Sequence, residues 1–244
     1  MAKKRLDVLL VERGLAESRS QAQALVLAGR VPGHAKAGEQ VDDSARLVVE
    51  EGPRFVSRGG EKLAHALEVF DVDVAGEDCL DVGASTGGFT DCLLQAGAAR
   101  VCALDVGHGQ LHPRVREDPR VTVLERLNVR NLACDDLPFA PSFVTCDVSF
   151  IGLEKALPPA LACARPGWRA LVLVKPQFEA GPAEVGKGGV VRDPAVHERV
   201  LEQVSGQAAS WGAEVLGVAD SGLRGPKGNR EFFLHLRAAP QSPA

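Results

Sequence analysis

From residue 58 onward, short apolar segments alternate with helical patterns, and this alternation limits the fold more than any other feature of the chain. Segments typical of buried strands lie at 78–82, 100–105, 121–124, 142–147, 169–174, 213–219 and 230–236. Helical patterns separate several of them, near 87–97, 152–164 and 194–211. Strands that alternate with helices form parallel sheets with helices on both faces.

The last two strand segments differ, because only "DSGLRGPKGN" lies between them and no helix fits there. Two strands joined so closely run antiparallel. We therefore predict an α/β fold with a seven-stranded, mostly parallel, Rossmann-like sheet that ends in an antiparallel hairpin. This arrangement resembles the class I methyltransferase fold, whereas ordinary nicotinamide-binding folds end with a parallel strand.

The first 50 residues have another pattern and predict a small α+β domain. "LDVLLVERG" is typical of a short helix, and "SRSQAQALVLAGRV" of a second helix that begins at Ser18 or Ser20. Two β-prone runs follow, around Val31 and in "ARLVVEE" at 45–51. We predict a small domain over 1–50, a linker over 51–60, the larger domain over 61–238 and a tail over 239–244.

Positive charge is concentrated near the N-terminus, although the whole chain has a formal net charge of −4. Residues 1–36 hold seven Lys or Arg against three Asp or Glu, which is a local net charge of +4. A basic face of this kind can bind RNA phosphates, or it can be the solvated surface of ordinary helices. The candidate phosphate contacts come from this stretch, the linker and the long loop at 176–194: Lys3, Lys4, Arg5, Arg19, Arg30, Arg58, Lys187 and Arg192.

The cysteines and the apolar runs indicate the compartment. Six cysteines, at 79, 92, 102, 134, 146 and 163, form no CxxC pair, so we expect reduced, mostly buried thiols and no metal site. No apolar run is long enough to span a bilayer and no signal segment is apparent, which predicts a cytoplasmic protein without a membrane partner.

A glycine-rich loop, "LDVGASTGGFTD" at 80–91, follows the first strand of the larger domain. A phosphate-binding GxxxxGK[ST] loop needs lysine after its last glycine, but Phe89 stands there. A dinucleotide loop needs glycine where this chain has Ser85. Asp81 would repel a pyrophosphate but suits a cationic ligand. The loop therefore predicts binding of S-adenosylmethionine, whose amino-acid end carries an ammonium and a sulfonium.

Polar residues at the next strand ends extend this predicted cofactor site. Asp105 ends the second strand of the larger domain, where a carboxylate can accept both ribose hydroxyls, and Asn128 after the third strand could contact the adenine edge. Each of these residues alone could instead cap a turn. The predicted cofactor-binding set is Asp81, Gly83, Ala84, Ser85, Thr86, Gly87, Gly88, Phe89, Asp105, Val106, Asn128, Val129 and Asp147.

The fourth strand ends "VTCDVSF", at the usual place for methyltransferase chemistry. Enzymes that methylate exocyclic amino groups carry a Pro-Pro-aromatic turn here, which this chain lacks. Cytosine carbon-5 methylation needs a thiolate, but strand alternation turns Cys146 away from the crevice if Asp147 faces it. We therefore predict no nucleophilic role for Cys146.

Three further charged residues lie where a structural role explains them poorly. Lys175 ends the apolar strand "LVLVK", Glu231 begins the last strand, and Lys62 lies on the helix that leads into the domain. A lysine at the end of a buried strand is costly unless it is paired or solvated. Each of the three could still be an ordinary solvated or capping residue.

Taken together, these motifs resemble known families. Lys62, Asp147, Lys175 and Glu231 match in order and context the catalytic K-D-K-E tetrad of FtsJ-like ribose 2′-O-methyltransferases. "SRGGEKL", "DVGASTGGFTD", "CDVSFI", "LVKPQFE" and "VGKGGVVRDP" resemble the TlyA (haemolysin A-like) family of ribosomal RNA methyltransferases. The N-terminal unit resembles the alpha-L RNA-binding fold. The resemblance implies 2′-O-methylation of cytidine in rRNA of ribosomal subunits, and no DNA partner.

Two other functions fit the same residues. One is a base or small-molecule methyltransferase with the same fold. The other is an RNA-binding or membrane-acting, haemolysin-like protein whose cofactor pocket is vestigial. The sequence indicates neither the oligomeric state nor the modified nucleotide and subunit.

Overall fold

A computed structural model describes residues 3–225 and 227–240, so the end of the predicted tail lies outside the described residues. The chain forms two compact units, the first ending at Arg54 and the second beginning at Phe55. Each unit has its own buried apolar core.

The first unit is a small α+β fold. It contains β1 (Lys3–Arg5), α1 (Leu6–Glu12), α2 (Arg19–Leu27) and β2 (Gln40–Asp42), and β1 pairs with β2 in antiparallel fashion. Both predicted helices are present, and the Ser18 hydroxyl caps α2 by accepting a hydrogen bond from the Gln21 amide at 3.2 Å.

The predicted positions of the two strands in this unit were wrong. Val31 and the run at 45–51 lie outside the strands, although the side chains of Val31 and Leu47 are buried in the core. The apolar pattern at these positions reflects burial of single side chains. The β1 segment "KKR" has no apolar alternation, so nothing in its composition indicated a strand.

The second unit has the predicted α/β architecture. Its elements are α3 (Arg58–Val69), β3 (Asp78–Val82), α4 (Gly88–Gln95), β4 (Arg100–Asp105), α5 (Pro113–Arg116), β5 (Val121–Glu125), β6 (Phe143–Cys146), α6 (Leu153–Ala162), β7 (Arg169–Val174), α7 (Pro176–Glu179), α8 (Pro194–Gln207), β8 (Ala213–Asp220) and β9 (Phe232–Ala238). Short 3-10 turns lie at Val129–Asn131, Cys134–Asp136, Pro182–Glu184 and Ala208–Trp211.

The seven strands form one sheet in the order β5-β4-β3-β6-β7-β9-β8. The pairs from β5 to β7 are parallel, whereas β9 runs antiparallel to both β7 and β8. The predicted seven-stranded sheet with a terminal antiparallel hairpin is thereby confirmed.

Helices cover both faces of this sheet. One apolar cluster joins α6 and α8 to inward side chains such as Val144 and Val172. The other joins α3 and α4 to the opposite face, through side chains such as Leu63, Leu93 and Phe233. Burial on both faces explains why the strands read as continuous apolar runs in the sequence.

One expectation about the cysteines was wrong. Cys134, in the 3-10 turn after β5, forms a disulfide with Cys163, which directly follows α6. The pair is 29 residues apart in sequence, and only the packing of α6 against the sheet brings the two Cα atoms to 4.9 Å. The free cysteines at 79, 92, 102 and 146 are buried, as expected.

The first turns of α3 and α4 approach each other closely. A Cβ atom on Gly88 would lie 2.1 Å from the Ser57 hydroxyl and 2.9 Å from the Gly60 backbone nitrogen. Only glycine permits this contact without a shift of the backbone. The contact positions the helix that carries Lys62.

We expect Gly88→Ala to destabilise the second unit by roughly 1–3 kcal/mol, because the added methyl group forces α3 and α4 apart. Gly206→Ala is a matched control, since Gly206 lies in α8 with open space around its Cα, and it should be neutral or stabilising by about 0.5–1 kcal/mol. Both tryptophans belong to the second unit, so urea unfolding followed by tryptophan fluorescence measures its stability. Equal stabilities of the two variants would contradict the close approach.

Candidate active site

The chain positions that carry the predicted chemistry meet at one edge of the sheet. The parallel strands β3, β4, β6 and β7 all end there, and the antiparallel strand β9 begins there. Val174 lies opposite Phe232, so the adjoining residues Lys175 and Glu231 emerge at that same edge. Ligands of open α/β sheets bind at the carboxyl ends of the strands.

The glycine-rich loop is held tightly against neighbouring strands. Gly83 has φ +84°, and a Cβ atom there would lie 2.5 Å from the carbonyl oxygen of Asp147. The amides of Gly83 and Ala84 both donate to the Leu104 carbonyl, at 2.8 and 3.1 Å. Glycine at 83 is therefore required so that the ends of β3 and β6 can approach each other.

Two cavities flank this loop, and most of the predicted cofactor-binding residues line them. The larger measures about 860 Å³, which lies in the range of small-molecule sites. Of the predicted set, it is lined by Gly83, Ser85, Asp105, Val106, Asn128, Val129 and Asp147. The smaller measures about 440 Å³ and is lined by Gly83, Ala84, Ser85, Thr86, Gly88, Phe89 and Asp147, together with Arg58 and Lys62.

Asp105 and Asn128 combine turn-capping contacts with exposure to the larger cavity. The Asp105 carboxylate accepts hydrogen bonds from the amides of Ser85, at 2.7 Å, and Gly107, at 2.6 Å. The side-chain oxygen of Asn128 accepts two, from the amide of Arg130 at 3.1 Å and from its Nε atom at 3.2 Å. Each Asp105 oxygen has a second lone pair and the Asn128 side-chain nitrogen has two N–H groups, so both residues keep capacity for a ligand.

Asp81 and Gly87 line neither cavity. The Asp81 side chain is fully buried beneath the loop, where it accepts hydrogen bonds from the hydroxyls of Thr90 at 2.6 Å and Thr145 at 2.9 Å. Burial raises the pKa of this carboxyl to about 6. The structure thus places Asp81 where it supports the loop, and the expected direct contact with a ligand is not available to it.

Lys62 and Glu231 form a buried ion pair. The Lys62 Nζ atom donates to Glu231 Oε2 at 2.5 Å, and their side chains are 8% and 1% exposed. A Cβ atom on Gly225 would lie 2.4 Å from Glu231 Oε1, so the loop between β8 and β9 packs directly on this carboxylate. These two residues, 169 apart in sequence, are brought together by the fold.

Lys175 and Asp147 form the second pair. Lys175 Nζ lies 2.5 Å from Asp147 Oδ1 and donates a hydrogen bond to the Ser149 hydroxyl at 3.0 Å. The contact with Asp147 is a close ion pair. Its angles do not meet the criteria for a hydrogen bond, and Asp147 Oδ1 has no hydrogen-bond partner among the described residues. The side chains are 11% and 22% exposed.

One residue of each pair lines a common cavity, whereas Lys175 and Glu231 line neither cavity. Asp147 lines both cavities, and Lys62 lines the smaller one. Burying the Lys62–Glu231 pair, and partly burying the Lys175–Asp147 pair, costs desolvation energy that apolar residues would not incur, so stabilisation explains them poorly. Charged groups concentrated in a cleft are typical of a functional site.

The sequence interpretation missed three residues at this edge. Ser149 holds Lys175, and Phe150 lines the larger cavity with its side chain 91% exposed. Phe150 has φ +67°, a strained conformation for a bulky residue, and its ring centroid lies 5.1 Å from that of Phe178. The motif "DVSF" contains both Ser149 and Phe150, but the sequence interpretation assigned a role only to its Asp147.

The Cys146 side chain is buried away from the cavities. The residue is fully buried in the apolar cluster beneath the sheet edge, and burial raises the pKa of its thiol. Its neighbour Asp147 faces the cavities. A thiol in this environment is a poor nucleophile.

The basic residues of the first unit differ in their surroundings. Lys3 is exposed, Lys4 pairs with Glu12 at 2.7 Å, and the Arg30 Nε atom donates to the Glu50 carbonyl at 2.7 Å. The exposed side chains of Arg5 and Arg19 both contact Asp7. In the first unit, Arg30 thus holds its own chain, three of the others are paired with carboxylates while remaining at least partly exposed, and Lys3 is exposed.

In the second unit, the basic loop residues Lys187 and Arg192 are exposed. Asn229 fixes this loop to the hairpin that leads to Glu231. Its side chain accepts from the Val191 amide and donates to the Gly189 carbonyl, both at 2.9 Å. The loop after Lys175 is therefore tied to the edge that carries the two ion pairs.

In residues 3–225 and 227–240, no group of three His, Cys, Asp or Glu side chains is arranged to hold a metal ion. Over the same ranges, no helix has the length and apolar character that crossing a membrane requires.

Comparison with known proteins gives consistent matches along the chain. The family model described as FtsJ-like methyltransferase matches residues 55–238, and the S4 domain model matches residues 4–31. The chain is 48% identical over 240 residues to the candidate rRNA methyltransferase YqxC of Bacillus subtilis, covering 96% of this chain and 85% of that protein.

Two further relatives cover most of the chain. The 16S/23S rRNA (cytidine-2′-O)-methyltransferase TlyA of Mycobacterium tuberculosis is 48% identical over 239 residues, covering 96% of this chain and 89% of that protein. The solved structure of a hemolysin candidate from Streptococcus thermophilus has a TM-score of 0.76 at 44% identity, covering 98% of this chain and 90% of that one.

We expect Asp81→Asn to alter the pH dependence of stability. Because the folded pKa of Asp81 is raised to about 6, the stability contributed by this carboxyl is full below its unfolded pKa, near 4, and is lost as pH rises through 6. Asparagine does not titrate, so the stability of the variant relative to wild type should rise by roughly 1–3 kcal/mol between about pH 4.5 and 7. Urea unfolding followed by tryptophan fluorescence measures it, and a difference independent of pH would contradict the assignment.

Proposed function

Because the chain belongs to the FtsJ-like methyltransferase family and carries an S4 domain, we propose that it transfers the methyl group of S-adenosylmethionine to the ribose 2′-hydroxyl of cytidine in rRNA. The observation that carries this proposal is that Lys62, from one lysine–carboxylate pair, and Asp147, from the other, line the same cavity beside the glycine-rich loop. The relative TlyA, named for this reaction, supports the choice of substrate.

The residues that line the larger cavity fit this cofactor. The Asp105 carboxylate would accept the ribose hydroxyls, Asn128 would contact the adenine, and the backbone at Gly83 and Ser85 would face the amino-acid end. When bound, S-adenosylmethionine supplies a methyl group on a sulfonium, which needs no further activation. The residues of the chain must then orient the ribose 2′-hydroxyl and assist the removal of its proton.

Lys175 would carry out that task. As an ammonium it can donate a hydrogen bond to the 2′-oxygen, hold it in line for attack and stabilise the negative charge that develops on it, while the hydroxyl proton leaves to water. As a neutral amine it could instead accept the proton. Asp147 Oδ1, 2.5 Å from the Lys175 Nζ atom, would hold the amine in place in either role. Ser149 would fix the direction of the amine.

Lys62 would add a second positive charge to the same space. Lys62 lines the smaller cavity, and its amine is held by Glu231, which restricts rotation of the side chain. A fixed ammonium beside the 2′-oxygen also stabilises a developing alkoxide, and it attracts the adjacent phosphate. The tetrad would thus be two lysines, each with its own counter-ion.

Phe150 would hold the target base. An exposed aromatic ring at the opening of a cavity is unfavourable in water but offers a face on which an unstacked base can lie. RNA enzymes that act on one nucleotide take it out of its stack and support the base in this way. The contact with Phe178 limits the positions of the ring.

The S4 domain would supply affinity for a ribosomal subunit and place the enzyme on it. We propose that the protein acts in the cytoplasm. Exposed basic side chains at Lys3, Arg5 and Arg19 would contact phosphates, and binding should weaken steeply with salt. Lys187 and Arg192 on the loop after Lys175 would contribute near the target nucleotide.

Methyl transfer from labelled S-adenosylmethionine to separated small and large ribosomal subunits tests the proposal. The expected product is 2′-O-methylcytidine after digestion to nucleosides. A methylated base in its place would support the base methyltransferase, and binding of rRNA without any transfer would support the RNA-binding protein with a vestigial pocket. Either result would overturn the proposed function.

We expect Lys175→Ala to lower kcat by roughly 10²–10⁴-fold, with little change in the dissociation constant for S-adenosylmethionine. Cys146→Ala serves as the control, because a buried thiol outside the cavities should leave the chemistry intact. Turnover with saturating subunits and cofactor titration measure both. Near-normal turnover of Lys175→Ala, or loss of turnover only in Cys146→Ala, would contradict the assignment.

We expect Phe150→Ala to lower kcat/KM for the rRNA substrate by about tenfold or more, since one stacking contact is lost. Cofactor affinity should not change, and Phe150→Trp should retain most of the activity because it preserves an aromatic face. Steady-state kinetics with ribosomal subunits gives the values. An alanine variant as active as the wild type would show that the ring does not contact the base.

A further inference from the structure

In the first unit, one buried carboxylate organises the polar groups of its surface. Asp7, in the first turn of α1, has no solvent exposure. Arg5 makes a two-point contact with it, from Nε to Oδ1 and from one terminal nitrogen to Oδ2, both at 3.0 Å. Arg19 and Gln23 also donate to Oδ2, at 3.1 and 2.9 Å.

The two arginines remain available to a partner. Their side chains are 46% and 57% exposed, although the carboxylate between them is buried. Each guanidinium has five N–H donors, of which Arg5 uses two and Arg19 one on Asp7. A Cβ atom on Gly38 would lie 3.2 Å from Arg5, so the backbone at Gly38 limits movement of that guanidinium.

This arrangement places two cationic forks side by side. Arg5 precedes α1 and Arg19 begins α2, so the residues come from different elements, and their shared contact with Asp7 sets the spacing of the two guanidinium groups. Without the carboxylate, two like charges at this distance would repel each other and the long side chains would sample many rotamers. A guanidinium fork matches phosphate geometry, provided that it is held in place.

We propose that Asp7 is a positioning residue for RNA binding, which holds Arg5 and Arg19 as a two-arginine clamp for backbone phosphate. The inference rests on the proposed function, because it takes rRNA as the partner of the S4 domain. Arg19 and Gln23 lie on the same face of α2, four residues apart, so a single carboxylate connects both helices of the unit to the clamp.

Charge alone predicts the opposite effect from positioning. Removing a negative charge from a basic surface raises its attraction for phosphates, so simple electrostatics expects Asp7→Asn to bind RNA more tightly. Loss of the fixed geometry should instead weaken binding, because the arginines must then be ordered by the RNA itself. The sign of the change therefore separates the two explanations.

The test uses the full chain and ribosomal subunits that the wild type methylates. We expect Asp7→Asn to raise KM for subunits by about five- to tenfold, with kcat and the dissociation constant for S-adenosylmethionine unchanged. Glu17→Gln is the matched control, since it removes an exposed negative charge from the same unit and should leave KM equal or slightly lower. An Asp7→Asn variant with unchanged or lower KM would overturn the proposal.

A second comparison separates positioning from a general loss of folding. If Asp7 acts through the arginines, adding Asp7→Asn to the Arg5→Ala/Arg19→Ala variant should change KM by no more than about twofold. A further large loss in that background would show that Asp7 only maintains the fold, and it would overturn the proposal.

Failure of the proposed function gives a different result. If the wild type methylates neither subunit, the rRNA substrate is wrong and the clamp is wrong with it. If the wild type is active but Arg5→Ala/Arg19→Ala has a normal KM, only the clamp is wrong. If the arginine variant is impaired but Asp7→Asn is not, the arginines bind RNA and Asp7 does not position them.

Discussion

Two lysine–carboxylate pairs at the carboxyl edge of the sheet are the interaction on which the rest of this structure depends. Lys62 meets Glu231 and Lys175 meets Asp147, and the four residues come from α3, β6, β7 and β9 or the loops beside them. No local segment can make such an arrangement. It needs a sheet in which an antiparallel last strand begins where the parallel strands end.

Several close contacts serve this arrangement. Gly83 lets β3 approach β6 beside Asp147, Gly88 lets α4 approach the helix that carries Lys62, and Gly225 lies against Glu231. These contacts give rigid positions to groups that are costly to bury. Desolvation of the ion pairs costs free energy of folding. An enzyme can tolerate this cost, because preorganised charges stabilise a transition state without rearranging.

Much of the fold could be predicted from the sequence, because strands buried on both faces leave a plain apolar pattern and the missing helix before the last strand fixes its direction. The positions of Lys175 and Glu231 followed from the same pattern. The pairing of each lysine with one carboxylate did not, since it depends on side-chain geometry that periodicity does not contain. The burial of Asp81 was missed because its place in the motif suggests a ligand contact, whereas strand alternation turns it toward Thr90. The disulfide and the strands of the first unit depend on contacts between distant or weakly patterned segments.

A double-mutant cycle tests most directly whether the two pairs act as one catalytic centre. The rate of methyl transfer to ribosomal subunits is measured for Lys62→Ala, for Lys175→Ala and for the variant with both changes. If the lysines act on the same oxygen, the double variant should be about as slow as the slower single variant, because residues that act as a unit are not additive. Losses that multiply, or a single variant with near-normal rate, would contradict the account.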